Sequence, residues 1–137
     1  MDLFAEEETG RILSLSDHDD EATLIGLSGE LGAGKTAFVK SLGKSLHILE
    51  SIPSPTFVIA RFYDIPKHPR FTRLIHIDAY RIEDEEELRP LGWTALLRDS
   101  KNLILVEWPE KIPQGMNRVA RTLRFEDVDE TTRIIRA

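Results

Sequence analysis

The run Gly29-Glu30-Leu31-Gly32-Ala33-Gly34-Lys35-Thr36 has the residue types and spacing G-x-x-x-x-G-K-[ST]. Such a segment cradles phosphates. Glycines let the backbone take φ > 0 and come close to an anion. Successive N–H groups, with the helix start that follows, make an anion-binding nest. Lys35 would bridge the β- and γ-phosphates, and the Thr36 hydroxyl would ligate Mg²⁺. Leu31, Gly32, Ala33 and Gly34 complete the nucleotide-binding set. A chance match in a chain of 137 residues has odds of about half a percent. Such a site also needs acids to hold the cation and orient water. Two stand where strands would end: Asp78 after Leu74-Ile75-His76-Ile77, and Glu107 after Leu103-Ile104-Leu105-Val106. Ligands gather at the carboxyl ends of parallel strands. Glu107 follows the more apolar run and is the better partner of Thr36 in a metal site.

The elements that must position these groups are legible. Residues 3–15 hold apolar positions among acids and predict a short amphipathic helix. Ala22 to Ser28 reads as a buried strand entering the loop, and Lys35 to Leu46 as a helix leaving it, with Phe38, Val39, Leu42 and Leu46 on one face. Phe57 to Tyr63 and Arg73 to Asp78 predict strands that pair as a hairpin. Asp84 to Leu91 and Thr94 to Arg98 predict short helices about Gly92. Asn102 to Trp108 predicts the central strand, and Val119 to Phe125 with Thr132 to Ile135 a terminal hairpin. Together these predict an α/β P-loop fold in three layers. Its central sheet would be mostly parallel, with antiparallel edge strands, in one domain spanning residues 1–137.

Composition narrows the function classes. Eighteen Lys and Arg against 24 Asp and Glu give a net charge of −6, which disfavours direct binding of RNA or DNA. Absence of cysteine excludes disulfides and thiolate chemistry and fits a cytoplasmic protein. No apolar run approaches a membrane span, and Met1 to Gly10 lacks the pattern of a secretory signal. The acids Glu83 to Glu87 read as a solvated helix start.

Four segments in order resemble the TsaE family, the bacterial P-loop ATPases that serve threonylcarbamoyladenosine synthesis on tRNA. They are Leu27 to Thr36, Ser54-Pro55-Thr56-Phe57, His76-Ile77-Asp78-Ala79-Tyr80-Arg81 and Val106-Glu107-Trp108-Pro109. The resemblance covers roughly Glu6 to Arg136. It implies that Lys35 and Thr36 meet phosphate and Mg²⁺, and that Thr56 is a switch threonine near the γ-phosphate. Asp78 would act on water or on the metal's water, and Glu107 on the metal. Arg133 would contact the nucleotide near its base, and Glu6 to Thr9 would lie against it. Ala79 stands where the family usually has Leu, and the connector Asp64 to Arg73 is longer and more basic than in many members.

The activity so implied is Mg²⁺-dependent ATP hydrolysis, slow alone and stimulated by partners. It would act as an accessory switch on the TsaB and TsaD type proteins that transfer threonylcarbamoyl to adenosine 37 of ANN-decoding tRNAs. tRNA would be reached only indirectly. Two other classes stay open: a small P-loop phosphotransferase, and a nucleotide-dependent interaction module without turnover. For His76 two readings stand, a hydrogen bond to the switch segment or core filling. Tyr80 and Arg81 either face a partner or make local contacts. Trp108, one residue past Glu107, is expected on the opposite sheet face, in the core or against a partner.

Overall fold

A computed structural model describes residues 7, 10, 11, 21–29, 34–49, 59–116, 121–127 and 133–136. Six strands form one sheet: β1 (Thr23–Gly29), β2 (Ala60–Asp64), β3 (Arg73–Asp78), β4 (Asn102–Glu107), β5 (Arg121–Asp127) and β6 (Arg133–Arg136). Their spatial order is β2-β3-β4-β1-β5-β6. The inner four run parallel, and the edge strands β2 and β6 pair antiparallel with β3 and β5. β4 is buried at every position, as a parallel strand covered on both faces requires.

The sheet carries two apolar faces because side chains alternate along each strand. On one face Ile25, Leu27, Leu74, Leu103, Leu105, Leu123 and Phe125 meet the helix α1 (Lys35–Ser45) through Phe38, Val39 and Leu42. Phe38 and Phe125 touch edge to face, centroids 5.6 Å apart. On the other face Leu24, Ile75, Ile77, Ile104 and Val106 pack against Leu88, Leu96, Ile112 and Met116. These come from a 3-10 helix (Glu85–Leu91), the helix α2 (Trp93–Leu97) and the turn after β4. The result is the three-layer arrangement expected from the strand and helix patterns. No described helix is long and apolar enough to cross a membrane.

Local chemistry explains where elements stop. Asp84 and Glu87 form a reciprocal capping box at the start of the 3-10 helix, which holds Pro90 and ends at Gly92 in the left-handed region, φ 72. The segment expected as a helix over Asp84 to Leu91 is helical but takes the tighter 3-10 form, with Pro90 inside it. β2 begins at Ala60 among the described residues. The expected start at Phe57, the N-terminal helix beyond residues 7, 10 and 11, and the segment Ser54–Phe57 lie outside them.

Candidate functional site

Lys35, Asp78 and Glu107 come together on the α1 face of the sheet, at the carboxyl ends of its parallel strands. The register explains it. Asp78 lies directly opposite Glu107, and both share parity with the inward-facing Leu74 and Leu105. Gly29 ends β1 beside them. Gly34, with φ 101, turns the chain into α1, so the next residue, Lys35, enters on that same face. Thr36 follows, half-buried.

Lys35 is 4% exposed. Among the described residues, its ammonium hydrogen-bonds only to the Gly29 carbonyl, at 2.5 Å. It also lies 3.6 Å from the centroid of the Trp108 ring. Burial lowers its pKa below the ordinary lysine value, opposed by the negative fields of Glu107, Glu110 and Asp78 in that order. The ammonium is thus a desolvated cation with three donors and, among the described residues, one hydrogen-bond acceptor. Such a group favours an added anion.

Glu107 is 6% exposed. One of its oxygens lies 2.6 Å from His76 Nε2. Asp78 Oδ1 accepts from the Tyr80 N–H at 3.0 Å, which fixes the turn after β3. The Ala79 N–H donates to the Glu107 carbonyl at 3.0 Å, tying together the two segments that carry the acids.

Trp108 corrects an expectation. It does not extend β4, although it packs against the core of the face opposite Glu107, as expected. Its N–H makes a last bond to the Leu27 carbonyl, and it then takes φ 61, next to Pro109, which cannot donate to a ladder. The turn swings the indole over Lys35. Tyr80, 42% exposed, stacks at a tilt on the same indole, centroids 5.1 Å apart. His76 makes a contact that neither sequence reading named, with Glu107; the switch segment of one of those readings lies outside the described residues. Glu110 was not singled out from sequence: it accepts from the Ser28 hydroxyl at 3.2 Å and faces Lys35 electrostatically. Its signal was its place three residues after Glu107, beyond a proline.

Arg133 starts β6 and pairs with Asp127 at the end of β5. This places its backbone at the same end of the sheet, beyond β5. Leu31, Gly32, Ala33 and Thr56 lie outside the described residues.

A buried strand, a glycine-entered helix bearing Lys-Thr at its start, and acids on adjoining parallel strands define the P-loop NTPase fold. The structure resembles that of YdiB from Bacillus subtilis with a TM-score of 0.65, covering 98% of this chain and 78% of that one at 22% identity. A family model described as threonylcarbamoyl adenosine biosynthesis protein TsaE matches residues 4–135, and the chain belongs to the TsaE family. Relatives described as tRNA threonylcarbamoyladenosine biosynthesis protein TsaE include one from Synechocystis. It is 38% identical over 125 residues, 82% of this chain and 69% of that protein. Another, from Streptomyces coelicolor, is 44% identical over 88 residues, 64% of this chain and 57% of that one. The chain therefore spans 57% to 69% of the length of these relatives.

Proposed function

We propose that this chain is a Mg²⁺-dependent ATPase, one P-loop domain, that acts as an accessory switch on the proteins transferring threonylcarbamoyl to adenosine 37 of tRNA. The observation that carries the reading is the Lys35 ammonium: buried, with one carbonyl acceptor among the described residues, at the head of a helix and facing the acids of two parallel strands. The residues present fit a nucleotide phosphate. Lys35 has donors to give, and the α1 N-terminus adds the positive end of its dipole.

Lys35 would leave the Gly29 carbonyl for the β- and γ-phosphate oxygens. Leu31, Gly32, Ala33 and Gly34 would supply backbone N–H groups, and Arg133 a contact near the base. Thr36 and Glu107 would hold Mg²⁺, which when bound neutralises charge on the phosphoryl oxygens. Asp78, whose Oδ1 is fixed by the Tyr80 N–H, would orient the attacking water. Thr56 would sense the γ-phosphate. Two prolines, Pro53 and Pro55, narrow the conformations of the segment that delivers it.

The partner half of the reading draws on family membership and on Tyr80. That ring is exposed on one side and packed on Trp108 on the other, and Trp108 touches Lys35. A change at the phosphate site therefore has a short route to a docked protein. A net charge of −6 suits a basic protein surface and contact with tRNA only through partners. Hydrolysis without partners should be slow.

The test is phosphate release from MgATP with and without TsaB and TsaD type proteins. Weak basal release, raised at least tenfold by the partners, supports the reading. Phosphate appearing on an added acceptor would make the chain a phosphotransferase, and binding without release under any condition would make it a non-hydrolysing module.

A further inference from the structure

His76 stands one step down β3 from Asp78 on the same sheet face, opposite Leu105 rather than Glu107. Its Nε2 reaches diagonally across the strand boundary to Glu107 Oε2 at 2.6 Å. Both side chains are nearly buried, 11% and 8% exposed. A carboxylate only accepts, so Nε2 carries the hydrogen and donates. Among the described residues, the other oxygen of Glu107 has no hydrogen-bond partner. The acid directly beside Glu107 is Asp78, another carboxylate with no proton to offer when ionised. Among the described residues, His76 is thus the group whose hydrogen bond can hold a buried Glu107 in one orientation against a like-charged neighbour.

We propose that His76 is a positioning residue for Glu107: its Nε2–H pins one carboxylate oxygen and leaves the other facing the cation that accompanies the nucleotide. The proposal rests on Glu107 being a ligand of that cation. It adds a residue whose chemistry acts wholly through another. A long acidic side chain at a cation site loses rotamer freedom when it binds, and a donor that fixes it beforehand removes part of that cost. Outer partners of this kind change metal affinity by about 10- to 100-fold when lost.

The experiment compares nucleotide affinity in excess Mg²⁺ with affinity in EDTA, by calorimetry with ADP, on the full chain. The ratio of the two reports the cation's contribution without any turnover. His76→Ala should cut that ratio about tenfold and leave affinity in EDTA within twofold. His76→Gln, whose amide nitrogen reaches as far as Nε2, should recover most of the loss. It also keeps the test informative if the alanine variant is poorly folded. In a Glu107→Gln background, His76→Ala should change the ratio no further. A His76→Ala ratio within twofold of wild type, an undiminished effect in the Glu107→Gln background, or a folded His76→Gln that recovers nothing would each overturn the positioning role. A wild-type ratio in Glu107→Gln alone would instead remove Glu107 from the cation site, and the proposal with it.

Discussion

Replacing Gly29 by alanine should separate the backbone demands of the loop entrance from ordinary glycine flexibility. Gly29 has φ 138, and a Cβ there would sit 2.4 Å from the Phe125 carbonyl oxygen and 3.1 Å from the Phe125 Cβ. The oxygen belongs to the backbone of β5, paired in register with β1, so neither strand can move without breaking the ladder. The unfavourable backbone region costs about 1–3 kcal/mol, and the overlap about 1–3 kcal/mol more. Loss of glycine's freedom in the unfolded chain returns about 0.4–1 kcal/mol. A net destabilisation of about 1–6 kcal/mol follows. For a chain of this size each kcal/mol lowers Tm by about 3–5 °C. Gly92 supplies the control: φ is 72 and nothing lies within 4 Å of its built Cβ. There Gly92→Ala should cost about 1 kcal/mol, the strain less the entropy returned. Thermal melts of both variants measure the difference, and nucleotide titration well below Tm should show weakened binding for Gly29→Ala alone. Equal Tm shifts, or a Gly29→Ala melt within about 2 °C of wild type, would refute the close-approach argument.

Three further outcomes are expected. In a Trp93→Phe background Trp108 is the single tryptophan, and its emission should change as nucleotide draws Lys35 off the ring; no change at saturation would place the Lys35–Trp108 contact outside the binding event. His68 accepts from the N–H groups of Arg70 and Phe71, both at 3.1 Å, and burial, then Arg70, lowers its pKa below 6.5. The unfolded chain therefore binds the proton more readily, so the stability His68 contributes is present above pH 6.5 and is lost as pH falls toward the lowered folded value. Denaturant melts should show the gap between wild type and His68→Ala narrowing over that window, whereas a constant gap would contradict the neutral-acceptor role. Thr56→Ala should keep ADP affinity near wild type but lose most partner-stimulated hydrolysis. Intact stimulation would reduce Thr56 to the start of a strand, and an equal loss of ADP binding would make it a general binding residue.

How far the sequence reaches depends on whether a property is local. β3 was readable to its last residue because Arg73 to Asp78 alternates between two buried faces and ends on an acid. The start of α1 was readable because Gly34-Lys35-Thr36 permits little else. The same alternation placed His76 and Asp78 on one face. It could not show that His76 bonds to Glu107, because that contact depends on the register of β3 against β4, residues 31 apart. Trp108 was legible in part for a related reason: its packing on the opposite-face core was readable, its contact with Lys35 was not. Extending the alternation past Glu107 assumed that the strand went on, whereas Pro109 and a φ of 61 ended it. The role of Gly29 was legible as a loop glycine. Its tighter constraint, the Phe125 carbonyl, comes from β5, nearly a hundred residues later. The sequence showed a short helix over Asp84 to Leu91 but not its 3-10 form.

The central claim is that Lys35 is the phosphate-binding cation of a nucleotide site. Calorimetric titration of MgATP into wild type and Lys35→Ala, both shown folded by thermal melting, tests it most directly. Truncation also removes a desolvated charge, so the variant should stay folded. The account predicts saturable binding with one site in wild type and at least a hundredfold loss in the variant, the scale of about 3 kcal/mol for a hydrogen-bonded charge pair. Equal affinity in the two folded proteins would contradict it.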